Sequence, residues 1–247
     1  MTTSYRTLGF IFKKEDKFEA DRNFSVFTKD FGRVEVLGKS IRKIASKLRG
    51  GIEIFSFSEI EFVQGKVRKT LTDSVAEKRF NNIYKPEKLK ISYNISEMLD
   101  DFLKGEEKDE KIMSLIEDVF TKLEDYKKEN CSIVYYYFLW NFISLLGYEP
   151  ELSNCPICQQ KLNPYNLYFS NKEGGVICRS CYSLKKESLK IKSDIVKILR
   201  LILKKDFDIL SRLKISSDIG NSLSAVSEGY KNYYQEPRSQ YKSLERK

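Results

Sequence analysis

The stretch FSVFTKDFGRVEVL, residues 24–37, predicts a β-hairpin. Its two halves, residues 24–28 and 33–37, are rich in the aromatic and β-branched residues that favour strands. Between them an aspartate and a glycine suit a tight turn. Three more stretches have a strand-like composition: residues 5–12, 52–57 and 59–63. About five short strands near the N-terminus predict a small barrel or curled sheet, and periodicity leaves SH3-like and OB-like closures open.

The apolar period changes to that of helices after about residue 75. Residues 112–123 carry apolar side chains at intervals of three and four, which predicts an amphipathic helix. Residues 133–146 are apolar on nearly all sides and predict a central buried helix, with Cys131 packed before it as a small hydrophobe. Three further helices are predicted at about residues 95–103, 193–204 and 218–234.

Four of the five cysteines form two pairs, in the motifs CPIC and CRSC. Their C-x2-C-x19-C-x2-C spacing lets four thiolates converge on one ion, which is typical of a tetrahedral zinc site. The predicted metal ligands are Cys155, Cys158, Cys178 and Cys181. Because four thiolates leave no open coordination position, we predict one structural Zn2+, with free thiols or two redox pairs as the alternative. Short strands at residues 167–170 and 176–177 complete the hairpin of a zinc ribbon.

The order of these elements predicts the domain organisation. Strands come first and helices follow, with the cysteine motifs between helices, which is an α+β arrangement. We place a small β-barrel domain that binds DNA at residues 1–79. A helical domain follows at residues 80–247 and contains the four-cysteine zinc module at about residues 151–184.

Several enzyme classes are excluded because the 247 residues include no histidine. Ser-His-Asp and Cys-His nucleophiles, His-ligated catalytic zinc and histidine acid–base catalysis all need an imidazole. Neither common glycine-rich phosphate loop is present, nor is a compact carboxylate cluster, so we predict no catalytic residues and no enzyme activity. The longest apolar stretch is too short to span a bilayer and the N-terminus lacks the pattern of a secretory signal, so we expect a cytoplasmic protein without a membrane partner.

Positive charge is concentrated in the first third of the chain. The whole chain has a formal net charge of +9, and residues 1–79 contribute +6 of it, from 17 Lys+Arg and 11 Asp+Glu. Such cations favour binding to the phosphates of single- and double-stranded DNA, although a charged face is often only solvated. The predicted DNA contacts are Arg33, Lys39, Arg42, Lys43, Lys47 and Arg49, with Lys66 and Arg68 in a second cluster.

Aromatic side chains on the predicted strands offer a second type of contact. Those that face outward can stack on bases, whereas those that face inward form the core. The candidates are Tyr5, Phe27, Phe31, Phe55 and Phe57. A further basic stretch follows the cysteine motifs at Lys185, Lys186, Lys190 and Lys192 and extends the possible contact surface.

Short motifs recur in a defined order along the chain. They are FTKDFG at residues 27–32, GKSIRK at 38–43, SKL at 46–48, and the apolar stretch 138–147 followed by Tyr-Glu-Pro and Cys155. Their order and spacing resemble the RecO family of bacterial recombination mediators. The resemblance implies an N-terminal OB fold and a helical C-terminal domain that holds the zinc module.

The resemblance also implies a function. It implies ATP-independent annealing of complementary strands and, with RecR as partner, loading of RecA onto single-stranded DNA coated by the single-strand-binding protein (SSB). Contact with the acidic SSB tail is expected from basic residues such as Lys185 or Lys190, and the expected location is the nucleoid. On the residues alone, two alternatives remain: a metal-dependent nuclease, and a zinc-ribbon scaffold for protein–protein contact.

Overall fold

The computed structural model describes residues 3–128, 131–184 and 188–242. The chain forms two compact units, Met1–Cys131 and Ser132–Lys247, which are described separately. Within the described residues, the first unit contains a β-barrel followed by two α-helices, and the second contains α-helices and a three-stranded sheet. Among these helices, none combines the length and the apolar character that crossing a membrane requires.

The barrel consists of β1 (Ser4–Lys17), β2 (Asp21–Thr28), β3 (Gly32–Gly38), β4 (Phe57–Gln64) and β5 (Lys69–Lys78). It is closed in the order β1-β2-β3-β5-β4. β3 and β5 pair in parallel, whereas the other neighbours are antiparallel. A short 3-10 helix lies between β3 and β4. This connectivity confirms the predicted OB-like barrel and rules out the SH3-like closure.

Two strands of the barrel differ from the prediction. Residues 52–57 were predicted as a strand, but the structure places residues 52–56 in an irregular connection, and β4 starts only at Phe57. Ile52 and Ile54 are buried there as loop side chains, which explains their strand-like alternation. β5 was not predicted because its sequence, KTLTDSVAEK, is mostly polar, and its Val75 is 45% exposed.

Two helices pack against the barrel, α1 (Pro86–Phe102) and α2 (Glu110–Asp125). The side chain of Asp109 accepts hydrogen bonds from the N–H groups of Lys111 and Ile112 and thereby begins α2. From the buried face of α2, the Phe120 ring lies 4.6 Å from the Phe10 ring and 5.8 Å from the Phe55 ring. The helices and the barrel therefore share one core.

The predicted domain boundary at 79/80 lies at the end of the last barrel strand. The compact unit continues to Cys131, because α1 and α2 pack on the barrel. Cys131 itself is buried, as predicted. The division of the chain into residues 1–79 and 80–247 stays a prediction.

An ion cluster connects α1 with the barrel. One carboxylate oxygen of Asp100 lies 3.0 Å from Lys13 Nζ, and the other lies 2.6 Å from Arg33 Nη2. Arg33 Nη1 also donates to the backbone carbonyls of Asp100 and Leu103. Burial raises the pKa of Asp100, but the hydrogen bonds and charges of Lys13 and Arg33 outweigh it and hold this pKa below its usual range.

Replacing Asp100 with asparagine is expected to lower the free energy of unfolding at pH 7 by about 1–2 kcal/mol, because Arg33 and Lys13 lose a charged partner in a partly buried site. The lowered pKa means that Asp100 contributes stability above about pH 4 and loses this contribution as the pH falls through its folded-state value. Urea unfolding at pH 7 and pH 3 measures both effects. The exposed Asp73→Asn variant is the control, with a change under about 0.5 kcal/mol. Equal losses at both pH values would contradict the linkage.

The second unit is built around α3 (Ser132–Leu145), which is apolar on all sides and buried as predicted. The Trp140 indole N–H donates to Ser227 Oγ at 2.9 Å, and Asn141 Nδ2 donates to the Ile202 carbonyl at 3.1 Å. These bonds attach α3 to its neighbours. The remaining elements are β6 (Leu167–Ser170), β7 (Gly175–Ile177), α4 (Arg179–Leu184), β8 (Leu189–Ile191), α5 (Ser193–Leu203), α6 (Phe207–Arg212) and α7 (Ser217–Lys242). The helices near 193–204 and 218–234 are thus present, whereas α4, α6 and β8 were not predicted.

Candidate metal centre and candidate nucleic-acid interface

The four paired cysteines lie together in the second unit. Their Sγ atoms are all within 4.8 Å of one another, and those of Cys158 and Cys178 are 3.8 Å apart. A sulfur tetrahedron with Zn–S bonds of about 2.3 Å has edges of about 3.8 Å, whereas a disulfide bond measures about 2.05 Å. The cluster Cys155, Cys158, Cys178 and Cys181 therefore fits a metal ion better than two disulfides, as its sequence spacing predicts.

Each cysteine pair lies on a tight backbone turn. In the first, the N–H of Cys155 donates to the Gln160 carbonyl, and the N–H of Gln159 donates to the Cys155 carbonyl, both at 2.8 Å. Gln159 adopts the left-handed conformation, with φ of 60°. The second pair begins α4, where the N–H of Tyr182 donates to the Cys178 carbonyl at 3.0 Å. These turns direct both cysteines of a pair toward one point.

Backbone amides already polarise one of the thiols. Burial raises the pKa of Cys155, but the N–H groups of Cys158, Cys178 and Ile157 donate to its sulfur and bring the pKa to about 7. Burial, followed by hydrogen bonds with the other three thiols, raises the pKa of Cys181 to about 12. Backbone amides therefore favour the thiolate at Cys155, and a bound cation would favour the thiolate at each of the four positions.

A small apolar cluster packs beside the cysteines. Tyr168 of β6 stacks on Tyr182 of α4, with ring centroids 3.7 Å apart, and Ile177 is fully buried beside them. At Gly175 a Cβ atom would lie 2.3 Å from the Glu151 carbonyl oxygen, so only glycine allows the chain before the first cysteine to pair with β7. The arrangement resembles a structural site, because the four donors come from a tight turn and from the start of α4, packed beside a small sheet.

The predicted cationic residues of the first unit lie mainly in the connection between β3 and β4. We call residues 39–49 the basic loop. All five of its cationic side chains are exposed: Lys39, Arg42, Lys43, Lys47 and Arg49. Arg42 lies 3.6 Å from Asp16, and the other four form no ion pair with any residue that the structure describes. Their charge is therefore available to a polyanion.

The basic loop is attached to the turn between β1 and β2. The N–H of Ser40 donates to Asp21 Oδ1 at 2.7 Å, and the N–H of Arg42 donates to the Ala20 carbonyl at 3.0 Å. Lys66 and Arg68, the second predicted cluster, are exposed at the tip of the β4–β5 hairpin. Two loops at the surface of the barrel thus present seven of the eight predicted cations.

Two known family models match this chain and together cover most of it. The family model "Recombination protein O N terminal" matches residues 1–79, and "Recombination protein O C terminal" matches residues 84–245. The chain belongs to the RecO family. A protein named DNA repair protein RecO from Dehalococcoides mccartyi (strain ATCC BAA-2266) is 33% identical over 221 residues, 89% of this chain and 86% of the relative. A protein of the same name from Desulforamulus reducens is 25% identical, covering 95% of this chain and 91% of the relative.

Membership of the RecO family confirms the resemblance that the sequence motifs carry, and the closed barrel confirms the fold that it implies. The eighth predicted cation, Arg33, differs from the others. Its guanidinium is mostly buried and is held by Asp100 and Glu35. A structural role accounts for these contacts, and a contact between Arg33 and DNA stays a prediction.

The aromatic residues that were candidates for stacking belong to the core of this RecO-family barrel. Phe27, Phe55 and Phe57 are buried, and Tyr5 and Phe31 are half-buried against the core. Exposed apolar side chains occur instead at the loop tips, at Phe18, Ile44 and Val67. Sequence reasoning missed Phe18. A lone aromatic within the charged stretch KKEDKFE was the available signal.

The basic stretch after the four-cysteine cluster is only partly described. Lys185 and Lys186 lie outside the described residues. Lys190 is exposed on β8, and Lys192 forms an ion pair with Asp218. Contact between this stretch and an SSB tail remains a prediction for this RecO-family chain.

Proposed function

We propose that this protein is a DNA-binding recombination mediator in DNA repair that anneals complementary single strands without ATP. The observation that carries the proposal is the exposed basic loop on an OB-like barrel in a RecO-family chain. Lysine and arginine contacts to phosphates hold single- and double-stranded DNA without reading sequence. The curated relatives are named as DNA repair proteins, which supports a role in repair.

Annealing is a task that such a surface can perform by neutralising phosphate charge. Two strands repel through their phosphates, and a protein that neutralises part of this charge lets them approach while their bases stay free to pair. No covalent step is needed, so we propose that the protein is not an enzyme. With RecR as partner, it would help to load RecA onto SSB-coated single strands, at the nucleoid in the cytoplasm.

We further propose that the four-cysteine cluster holds one structural zinc ion. Four thiolates with a 3.8 Å sulfur–sulfur distance suit zinc, and they fill all four positions of a tetrahedron. Such an ion would hold the β6–β7 hairpin and the start of α4 together, with no position left for a substrate or an activated water. Metal analysis of the purified protein is expected to return about one zinc per chain.

An annealing assay on complementary strands coated with SSB tests the function. We expect faster annealing with the protein than without it, no requirement for ATP, and a further change when RecR is added. Steep inhibition by salt is expected because phosphate contacts release counterions. Magnesium-dependent cleavage that copurifies with the protein would favour a nuclease instead, and absence of DNA binding even at low salt would leave a scaffold.

A further inference from the structure

The four cysteines of the cluster differ in their access to solvent. Cys155 and Cys181 are buried, with 0% and 6% of their surface exposed. Cys178 is half-buried, and Cys158 is exposed. The two accessible thiols belong to different motifs, since Cys158 is the second cysteine of CPIC and Cys178 is the first of CRSC. A reagent that arrives from solvent therefore meets one cysteine of each motif before it meets the buried pair.

The two accessible sulfur atoms are also close to each other. The Sγ atoms of Cys158 and Cys178 are 3.8 Å apart. Because a disulfide bond measures about 2.05 Å, these atoms need to approach by less than about 2 Å to form one. Both lie in surface segments: Cys158 begins an exposed run at residues 158–161, and exposed Arg179 and Ser180 follow Cys178. A small movement of two surface segments therefore brings the pair to bonding distance.

The other two cysteines are held inside the fold. The backbone of Cys155 forms hydrogen bonds with Gln159 and Gln160, both at 2.8 Å. Cys181 lies within α4, and Tyr168 and Tyr182 pack in the same apolar cluster. Of the pairings that these four described cysteines allow, only Cys158–Cys178 leaves both buried sulfur atoms unreacted.

A metal ion in the cluster would keep the accessible pair reactive. Thiolates, rather than thiols, attack peroxides, and metal ligation requires the thiolate form. Redox-sensor cysteines typically combine an accessible thiolate with a second cysteine close enough to resolve it. Cys158 has the first property, and Cys178, at 3.8 Å, supplies the second.

We propose that Cys158 is a site of oxidation by hydrogen peroxide and that it then forms a disulfide with Cys178, with release of the metal. The proposal rests on the proposed zinc site and adds a covalent modification to it. The Cys158 thiolate attacks one peroxide oxygen and the O–O bond breaks, which gives a sulfenic acid and a hydroxide. The Cys178 thiolate attacks that sulfur, the S–S bond forms, and the S–O bond breaks to release a second hydroxide. Two protons from solvent convert both hydroxides to water, so two thiolates are oxidised and one peroxide is reduced.

The disulfide would connect the same two motifs that the ion connects. It would close a loop over the 19 residues between Cys158 and Cys178, which contain the β6–β7 hairpin. The hairpin and the start of α4 would thus stay linked after the metal leaves. We therefore expect the oxidation to be reversed by a dithiol and added zinc.

The test treats the full-length, zinc-loaded protein with hydrogen peroxide and follows zinc release with a chromogenic chelator. After free thiols are blocked, tryptic digestion and mass spectrometry map the disulfide. Cleavage after Arg179 separates Cys178 from Cys181. Cys155 and Cys158 stay in one peptide, and fragmentation of that peptide distinguishes them. We expect about one zinc released and about one disulfide formed per chain, between Cys158 and Cys178.

Two variants give an independent readout. Cys158→His removes the exposed thiol but supplies another zinc ligand, because sites with three cysteines and one histidine are common. Peroxide is expected to release zinc from this variant about tenfold more slowly, since only less accessible thiolates remain. The matched control, Cys131→Ala, removes a buried thiol outside the cluster and should release zinc at the parental rate.

Each result decides a separate point. A disulfide within either motif, or zinc release from Cys158→His at the parental rate, would overturn the proposal. If Cys158→His binds no zinc, the disulfide map of the parent decides alone. A parent that contains no zinc would instead refute the proposed metal site, and the map of that metal-free protein would still show which thiols pair.

Discussion

Alanine at Cys155 is expected to abolish zinc binding and to lower the melting temperature of the second unit by about 10 °C or more. Cys155 is fully buried within the four-sulfur cluster, so alanine leaves three donors around an open position. Structural zinc contributes roughly 10–16 kcal/mol of apparent binding free energy in zinc-finger peptides. Losing even about 3 kcal/mol of it shifts the melting temperature of a unit of this size by about 10 °C.

Metal analysis and thermal unfolding of the variant measure these effects. The control is Cys131→Ala, which removes the fifth cysteine, a buried side chain outside the cluster. We expect that control to retain one zinc per chain and to lose no more than about 1–2 kcal/mol. A metal-free Cys155→Ala protein with unchanged thermal stability would show that the ion does not support the fold. Full zinc occupancy in that variant would reject the four-ligand assignment.

The triple variant Lys39→Ala, Arg42→Ala, Lys43→Ala is expected to bind single-stranded DNA about 100-fold more weakly at 0.1 M salt. For single-stranded DNA, each phosphate contact contributes about −0.7 to the slope of log K against log salt. At 0.1 M salt, each lost contact therefore lowers the binding constant about fivefold. The slope of log K against log salt should become shallower by about 2. The annealing rate is expected to fall with the affinity.

Titrations at several salt concentrations, with circular dichroism to verify folding, measure this prediction. The matched control removes three exposed lysines from the acidic part of the same unit, Lys108, Lys111 and Lys127. This control changes the net charge by the same amount. It is expected to alter the slope of log K against log salt by less than the loss of one phosphate contact would. If the folded basic-loop variant anneals DNA at the parental rate, the contacts lie elsewhere. If both triple variants weaken binding equally, only the total charge matters.

The four-cysteine cluster could be predicted almost completely from the sequence, because two CxxC motifs bring their sulfur atoms together largely through local backbone geometry. Cys155 and Cys178 are far apart in the chain but meet through a hairpin whose strands were also predicted. The barrel was predicted from its apolar strands. β5 was not predicted because its side chains are mostly polar. Its place in the barrel depends on pairing with β3 and β4, and a local sequence pattern carries no information about such pairing.

Which aromatic and cationic side chains remain exposed could not be predicted for a related reason. Phe27 and Phe55 have the composition of stacking residues, yet closure of the barrel turns them inward. Phe18 is exposed because β1 extends to Lys17 and the turn begins immediately afterwards. Arg33 was predicted as a DNA contact together with the other cations. In the structure it forms an ion pair with Asp100 of α1, which is distant in the sequence. Tertiary contacts decide which of several chemically suitable residues remain at the surface.

Two hydrogen bonds attach Ser40 and Arg42 to the β1–β2 turn and thereby fix the start of the basic loop on the barrel. A free cationic loop would adjust to any path of the strand and would lose conformational entropy in doing so. In an attached loop, the spacing of the cations is set when the protein folds, before DNA binds. The position of Lys39 and Arg42 relative to the β1–β2 turn is then a property of the folded protein. If DNA binds at the basic loop as proposed, its phosphates would meet cations whose spacing folding has already fixed.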